Sequence, residues 1–174
     1  MTWLQRERWY LVALVVVAPL AVLVALSAGW FSYVEREEGR VVRVEREADV
    51  QYAGATWSVT GAGVLSSSDE AAEGLGLVDG TSLVFVELRV EPGSAAPDCT
   101  LRLIDASDTR HWNPASYADV DLEADEDAET YCSPDAVAPY TLQSWFVVPD
   151  DAVDDARLQL SARDSLPELL DFDL

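Results

Sequence analysis

The chain has no lysine, one histidine and two cysteines in 174 residues, and each scarcity removes a class of function. Every basic residue is an arginine, and 11 of them face 32 acids, for a net charge of −21. Beyond residue 34 the imbalance is 31 acids to 9 arginines. Nucleic acid is excluded as a partner, because phosphate binding needs clustered positive charge. Anionic lipid headgroups are repelled by most of such a surface. The lysine-free, acid-rich bias fits GC-rich coding or a high-salt habitat, where screening tolerates self-repulsion. The single histidine, His111, and two widely spaced cysteines give no His-x-x-x-His or Cys-x-x-Cys metal spacing. A Gly-x-Ser-x-Gly elbow is missing, and GAG at 61–63 is too short for a phosphate loop. His111 has Asp108 nearby but no serine in a nucleophile setting, so a turn-adjacent histidine is expected, with no enzymatic activity and no cofactor.

Charge is also lacking from Trp9 to Val34, WYLVALVVVAPLAVLVALSAGWFSYV. About twenty apolar helical residues span a hydrocarbon core of roughly 30 Å. Trp9 and Tyr10 at one end, with Trp30, Phe31 and Tyr33 at the other, match the interfacial preference of aromatic rings. Pro19 is tolerable where neighbours satisfy the freed carbonyl. A cleaved signal peptide is the rival, with Ala25 and Ser27 as small residues, but the run exceeds the usual core of about 7–15 residues. A retained transmembrane helix in the lipid bilayer is expected over 9–34. Its orientation is contested. Arg6 and Arg8 precede it, whereas Arg36, Arg40, Arg43 and Arg46 follow it, which by positive charge alone would place the following side inside. Long domains translocate largely regardless of charge, and a cysteine pair suits an oxidising compartment. The expectation is a cytoplasmic N-terminus over 1–8 and an extracellular C-terminal domain at the cell membrane.

The remaining residues suffice for one domain with a core. Residues 35–49, EREEGRVVRVEREAD, read as a charged stalk; Val41, Val42 and Val44 offer an alternative first strand. ATWSVTGAGVL (55–65) alternates Trp57 and Val59 with Ser58 and Thr60, as a half-buried strand does. Residues 66–76 form a polar loop. TSLVFVELRVE (81–91) is dense enough in apolar residues to lie centrally in a sheet. CTLRLIDA (99–106) alternates again, DASD (105–108) predicts a hairpin turn, and TRHW (109–112) the returning strand. PYTLQSWFVV (139–148) and ARLQLSA (156–162) are further strands, joined by a turn or single helical turn at 148–156. Short strands at this spacing predict an all-β sandwich, set at 50–162. The tail, RDSLPELLDFDL (163–174), is expected to dock on its own domain, since exposed apolar tails invite association.

The order of a strand, a Ser/Gly loop, an apolar strand ending in Pro-Gly, and Leu-x-Leu-x-Asp with an aromatic resembles the telokin-like extracellular domains (domain of unknown function 4352 and relatives). The closing PYTLQSWFVVPDDAVDDARLQL resembles their C-terminal pattern of apolar strand, Val-Pro, acidic turn and Leu-x-Leu strand. The resemblance covers roughly residues 50–162. It implies an antiparallel immunoglobulin-like β-sandwich behind a membrane or lipid anchor, and it brings no catalytic residues. The chain departs from the lipoprotein members, because no cysteine follows its apolar segment.

Four groups of residues remain as candidates. Cys99 and Cys132 are expected to form a disulfide, the default outside the cytoplasm. DVDLEADEDAE (119–129) packs seven acids into eleven residues, and Asp119, Asp121, Glu123 and Asp125 imitate a calcium loop. Ala124 stands where the sharp-turn glycine belongs and Thr130 where the bidentate Glu belongs, so a solvated charge run is the expectation. Trp57, Trp112 and Trp145, with Tyr117, Tyr131 and Tyr140, contain the material of a sugar-stacking face, although core packing is commoner. Trp57 and Trp145 are expected to be mostly buried, leaving Trp112, Tyr117 and Tyr131 as ligand candidates. The reading is a non-enzymatic binding module of the cell envelope that contacts another envelope protein. The alternative is a calcium- or glycan-binding β-sandwich.

Overall fold

The computed structural model describes residues 17–20, 39–93, 98–116, 120, 122 and 127–174. The chain divides into two units, Met1–Glu38 and Gly39–Leu174. In the first, residues 17–20 are helical, and the rest of the expected span 9–34 lies outside the described residues. Among the described residues no helix is long and apolar enough to cross a membrane.

The second unit is a β-sandwich of two five-stranded sheets. Its strands are β1 (Arg40–Val44), β2 (Val50–Tyr52), β3 (Ala55–Ser66), β4 (Thr81–Pro92), β5 (Cys99–Ile104), β6 (His111–Trp112), β7 (Ala128–Glu129), β8 (Tyr140–Pro149), β9 (Arg157–Ala162) and β10 (Glu168–Asp173). One sheet, here sheet A, runs β1-β10-β9-β5-β6, and the other, sheet B, β2-β3-β4-β8-β7. β1–β10 and β7–β8 are parallel, and the remaining pairs are antiparallel.

The core follows from the two-residue period of a strand. Leu158, Leu160 and Ala162 of β9 face inward with Leu101 and Leu103 of β5, against Val84, Val86, Leu88 and Val90 of β4 and Leu142 and Phe146 of β8. On β3 the alternation runs through Trp57 and Val59, then shifts at a bulge between Val59 and Gly61. The shift pairs Leu65 with Leu83, and both join a second cluster on the outer side of sheet B. β2 and β3 are joined by Ala53 and Gly54, both at positive φ, which is the two-residue turn suited to a twisted hairpin. Gly93 packs so close to the Gly54 carbonyl that a side chain there would collide with it.

Trp57 is fully buried, and its Nε1 donates to the Tyr52 carbonyl at 3.0 Å. Replacing it with Phe keeps a ring but strips that carbonyl of its donor. We expect a loss of about 1–3 kcal/mol in denaturant unfolding.

Three sequence expectations are corrected at the margins of the sandwich. The stalk over 35–49 contains β1, whose Val44 is buried and whose Val42 packs on the core, while Val41 and Arg43 point out. Mixed charges disguised a two-residue period only five residues long. The tail over 163–174 contains β10, which docks on its own domain as expected but does so from the middle of sheet A, with Leu170 and Phe172 inward. The domain therefore extends from Gly39 to Leu174, wider than 50–162. Within the acidic stretch, residues 119, 121 and 123–126 lie outside the described residues, and the two apolar residues between them are packed. Val120 is 2% exposed and with Leu122 caps Leu83, Phe85, Trp145 and Val147 on the outer side of sheet B. The backbone N–H of Ala115 donates to the Trp145 carbonyl at 2.7 Å and ties this segment down.

Candidate functional site

The densest polar chemistry sits on the β5–β6 hairpin and the outward face of sheet A. The hairpin turn is organised by Asp105, which is buried at 5% exposure. Its carboxylate accepts from the Thr109 N–H at 3.0 Å, the Arg110 N–H at 3.2 Å, the Ser107 hydroxyl at 2.9 Å and Arg110 Nε at 3.1 Å. The carboxylate closes the hairpin by accepting from backbone N–H groups four and five residues on, which is why a short acceptor such as Asp stands at the start of the turn. Desolvation pushes the Asp105 carboxyl up, but the hydrogen bonds from Arg110, Ser107 and Thr109 outweigh it and hold it well below the usual carboxylate range. Arg110 reaches on to Asp151 at 3.1 Å and lies 5.6 Å over the Trp112 ring.

A second network adjoins it. Arg157, 8% exposed, donates to Asp171 at 3.3 Å and also to Asp108, while Gln159 donates to Asp171 at 3.1 Å. Asp171 is 1% exposed, and burial pushes its carboxyl up against the opposing pull of Gln159 and Arg157. A buried carboxylate with a shifted pKa is a general acid–base candidate in principle. Here its oxygens are already occupied, so the arrangement does the work of a structural ion pair.

The two carboxylates have opposite linkage to pH. Asp105, lowered in the folded state, contributes stability that is present above its unfolded pKa of about 4 and is lost as pH falls below it. Asp171, raised in the folded state, weighs against the fold when ionised and ceases to do so as pH falls through its folded pKa. We expect Asp105→Asn to lower the melting temperature at pH 7 and the gap to the parent to narrow as pH drops from about 5 to 2. A gap that stays constant with pH would mean the Asp105 charge plays no part.

The sequence candidates fall around these networks unevenly. Cys99 and Cys132 form a disulfide, with Cα atoms 5.6 Å apart, and no free cysteine remains. Asp119, Asp121, Glu123 and Asp125, the calcium candidates, lie outside the described residues, and among the described residues no cluster of metal-ligating side chains occurs. Trp57 and Trp145 are buried as expected, Trp145 tilted against Phe85 at 6.2 Å. Trp112 is half-buried against the core beneath Arg110. Tyr131 is 66% exposed, and Tyr117 lies outside the described residues. His111 is exposed on the short edge strand β6, opposite Ile104, and its imidazole makes no hydrogen bond or ion pair among the described residues.

Sequence reasoning missed Asp105, Arg110, Arg157 and Asp171 as an assembly. The signal for the hairpin portion was present, since Asp105 begins the DASD turn and Arg110 follows it in TRHW. For Arg157 and Asp171 no local signal exists.

Shallow clefts flank one end of the sandwich. One of about 470 Å³ is lined by Arg43, Ala106, Asp155, Ala156, Arg157, Asp173 and Leu174. A neighbour of about 260 Å³ borders Arg46, Gly63 and Val64. Both mix arginines with carboxylates, so neither presents a single sign of charge.

No protein-family model matches the chain. No curated protein sequence matches it either. Two solved structures are similar to it. A β-sandwich protein of Clostridium difficile 630, described as uncharacterized, superposes with a TM-score of 0.46 at 10% identity, covering 80% of this chain and 97% of that one. A candidate lipoprotein of Bacillus subtilis subsp. subtilis str. 168 superposes with a TM-score of 0.47 at 15% identity over 74% of this chain. This chain spans 38% of the length of that second protein. At these identities the likeness is one of fold alone.

Proposed function

We propose that this protein is a non-enzymatic binding module of the cell envelope. In this reading residues 9–34 anchor it in the membrane, residues 1–8 are cytoplasmic, and an extracellular immunoglobulin-like sandwich meets another envelope protein. The observation that carries the reading is the strand order. β3-β4-β8-β7 against β10-β9-β5 corresponds to the A-B-E-D and G-F-C sheets of an immunoglobulin-like domain, with β1 added in parallel at the G edge. β7 departs from that pattern by running parallel to β8 over its two residues. The order supports the resemblance of residues 50–162 to the telokin-like domains. The Cys99–Cys132 disulfide supports an oxidising, extracytoplasmic setting. Such a fold serves as a rigid display for a surface.

The test is crosslinking and pull-down of the intact protein from its native membrane, joined to a topology reporter fused at Leu174. A specific co-purifying envelope protein and a reporter active only outside are expected. A reporter active only in the cytoplasm sinks the orientation, and an intact protein that crosslinks to no other protein sinks the binding role.

A further inference from the structure

The outward faces of the two sheets differ in kind. That of sheet B is roofed by its own chain, through Val120, Leu122, Leu75 and Leu77. On sheet A the pairing registers bring Arg43, Asp171, Gln159 and Arg102 into one row across β1, β10, β9 and β5. The next row is Val41, Leu169, Ser161 and Thr100. Arg43, Arg102, Val41 and Thr100 are exposed, whereas Asp171 is 1% exposed beneath Arg157 and Gln159. On a chain with 32 acids, these eight positions present no exposed carboxylate, and the exposed acid next to them, Asp173, lies one row further on beside Arg157. Neither Arg43 nor Arg102 forms a close ion pair among the described residues, although Arg43 acts at longer range on the Asp171 carboxylate. Beside the second row lie exposed Arg163 and Leu166, around a shallow cleft of about 270 Å³ that Asp98 borders.

We propose that this face docks a short, extended, carboxylate-rich segment of a partner protein. The inference deepens the binding-module reading and rests on it. Arg43 and Arg102 stand three strand spacings apart, about 14 Å between backbones. Carboxylates four residues apart in an extended chain, at about 3.3 Å per residue, match that span. The planar guanidinium suits bidentate capture of a carboxylate. Apolar Val41 and Leu169 with hydroxyls at Thr100 and Ser161 give the arginine-containing, acid-depleted composition of an interface core.

Size and charge exclude the other occupants. The two rows offer a footprint of a few hundred Å², on the order of half the roughly 800 Å² per partner of a stable globular interface. A second copy would also bring its own charge of −21. An anionic bilayer would face the field of the whole molecule. A narrow peptide meets only this face, and the acids beyond about 8 Å are screened at physiological salt.

The full-length protein, carrying a photocrosslinking benzoylphenylalanine at Thr100, is irradiated in its native membrane and the crosslinked peptide is sequenced. Matched proteins carry the probe at Val64 or Val137, exposed positions outside the two rows. A protein segment with at least two carboxylates at Thr100, with a yield falling about tenfold in Arg43→Glu/Arg102→Glu, is the expected result. Arg102→Glu alone, which disturbs no ion pair of the fold, is expected to give an intermediate fall and serves if the double variant does not fold. Crosslinks to lipid, to a second copy, or to a segment without carboxylates overturn the proposal, as does a yield that ignores the substitutions. Protein crosslinks at Val64 or Val137 with none at Thr100 overturn this face and leave the binding-module reading standing. No protein crosslink at any of the three positions overturns both.

Discussion

Replacing Cys99 and Cys132 together with alanine is expected to lower the unfolding free energy by about 3–4 kcal/mol. The bond closes a loop of 33 residues in sequence separation, and the chain-entropy cost of that loop falls on the unfolded state when the bond is present. The loss is a large share of the roughly 5–15 kcal/mol that stabilises an ordinary domain. The position of the bond makes the effect local as well as global. Among the described residues between β5 and β8 the only strands are β6 and β7, of two residues each. The disulfide fixes the end of that excursion to the first residue of β5, opposite Ala162 of β9. Denaturant midpoints of oxidised parent, reduced parent and double-alanine variant measure the effect, and the oxidised parent should show no titratable thiol. A double-alanine variant within about 1 kcal/mol of the parent would show instead that Val120 and Leu122 hold the excursion by docking alone.

Ending the chain at Ala162 is expected to abolish cooperative folding. β10 lies between β1 and β9, so its loss removes the hydrogen-bonding partner of one strand and opens an edge on the other. It also removes Leu170 at 1% exposure and Phe172 at 0%. Truncating a buried Leu or Phe to Ala typically costs about 2–5 kcal/mol each, so the two together approach the whole stability of a domain. Phe172→Ala alone is the graded control. It should fold, unfold in one transition, and lose about 3–5 kcal/mol. A protein ending at Ala162 that still melts cooperatively would mean that β10 is an accessory strand.

The strands most legible in the sequence were those marked by clear alternation or by a dense apolar run. β4, β8 and β9 fall where alternation or apolar density placed them, and the DASD turn produced the β5–β6 hairpin. Trp57 was readable as core from its alternation with Ser58 and Thr60, and Trp145 from the apolar run Trp145–Val148 around it. β1, β2 and β10 were harder for a physical reason. Three to six residues give a weak period, and their charged outward positions resemble a solvated spacer or tail. The alternation at 119–125 carries a second period, that of its apolar residues. Val120 and Leu122 are spaced as they are because they cap the outer side of sheet B, which also accounts for the apolar half of that pattern.

By itself the sequence determined that the domain is a β-sandwich, that its only two cysteines pair, and which tryptophans lie inside. Those properties follow from local periodicity, from composition and from a count of two. The tertiary structure alone decided that residues 43, 171, 159 and 102 share one row across sheet A, and that the one carboxylate in that row is buried beneath Arg157 and Gln159. The reason is register. A strand's own period fixes which side of the sheet a residue takes, but its neighbours across the sheet are set by pairings up to 128 positions away in sequence, which no local pattern records.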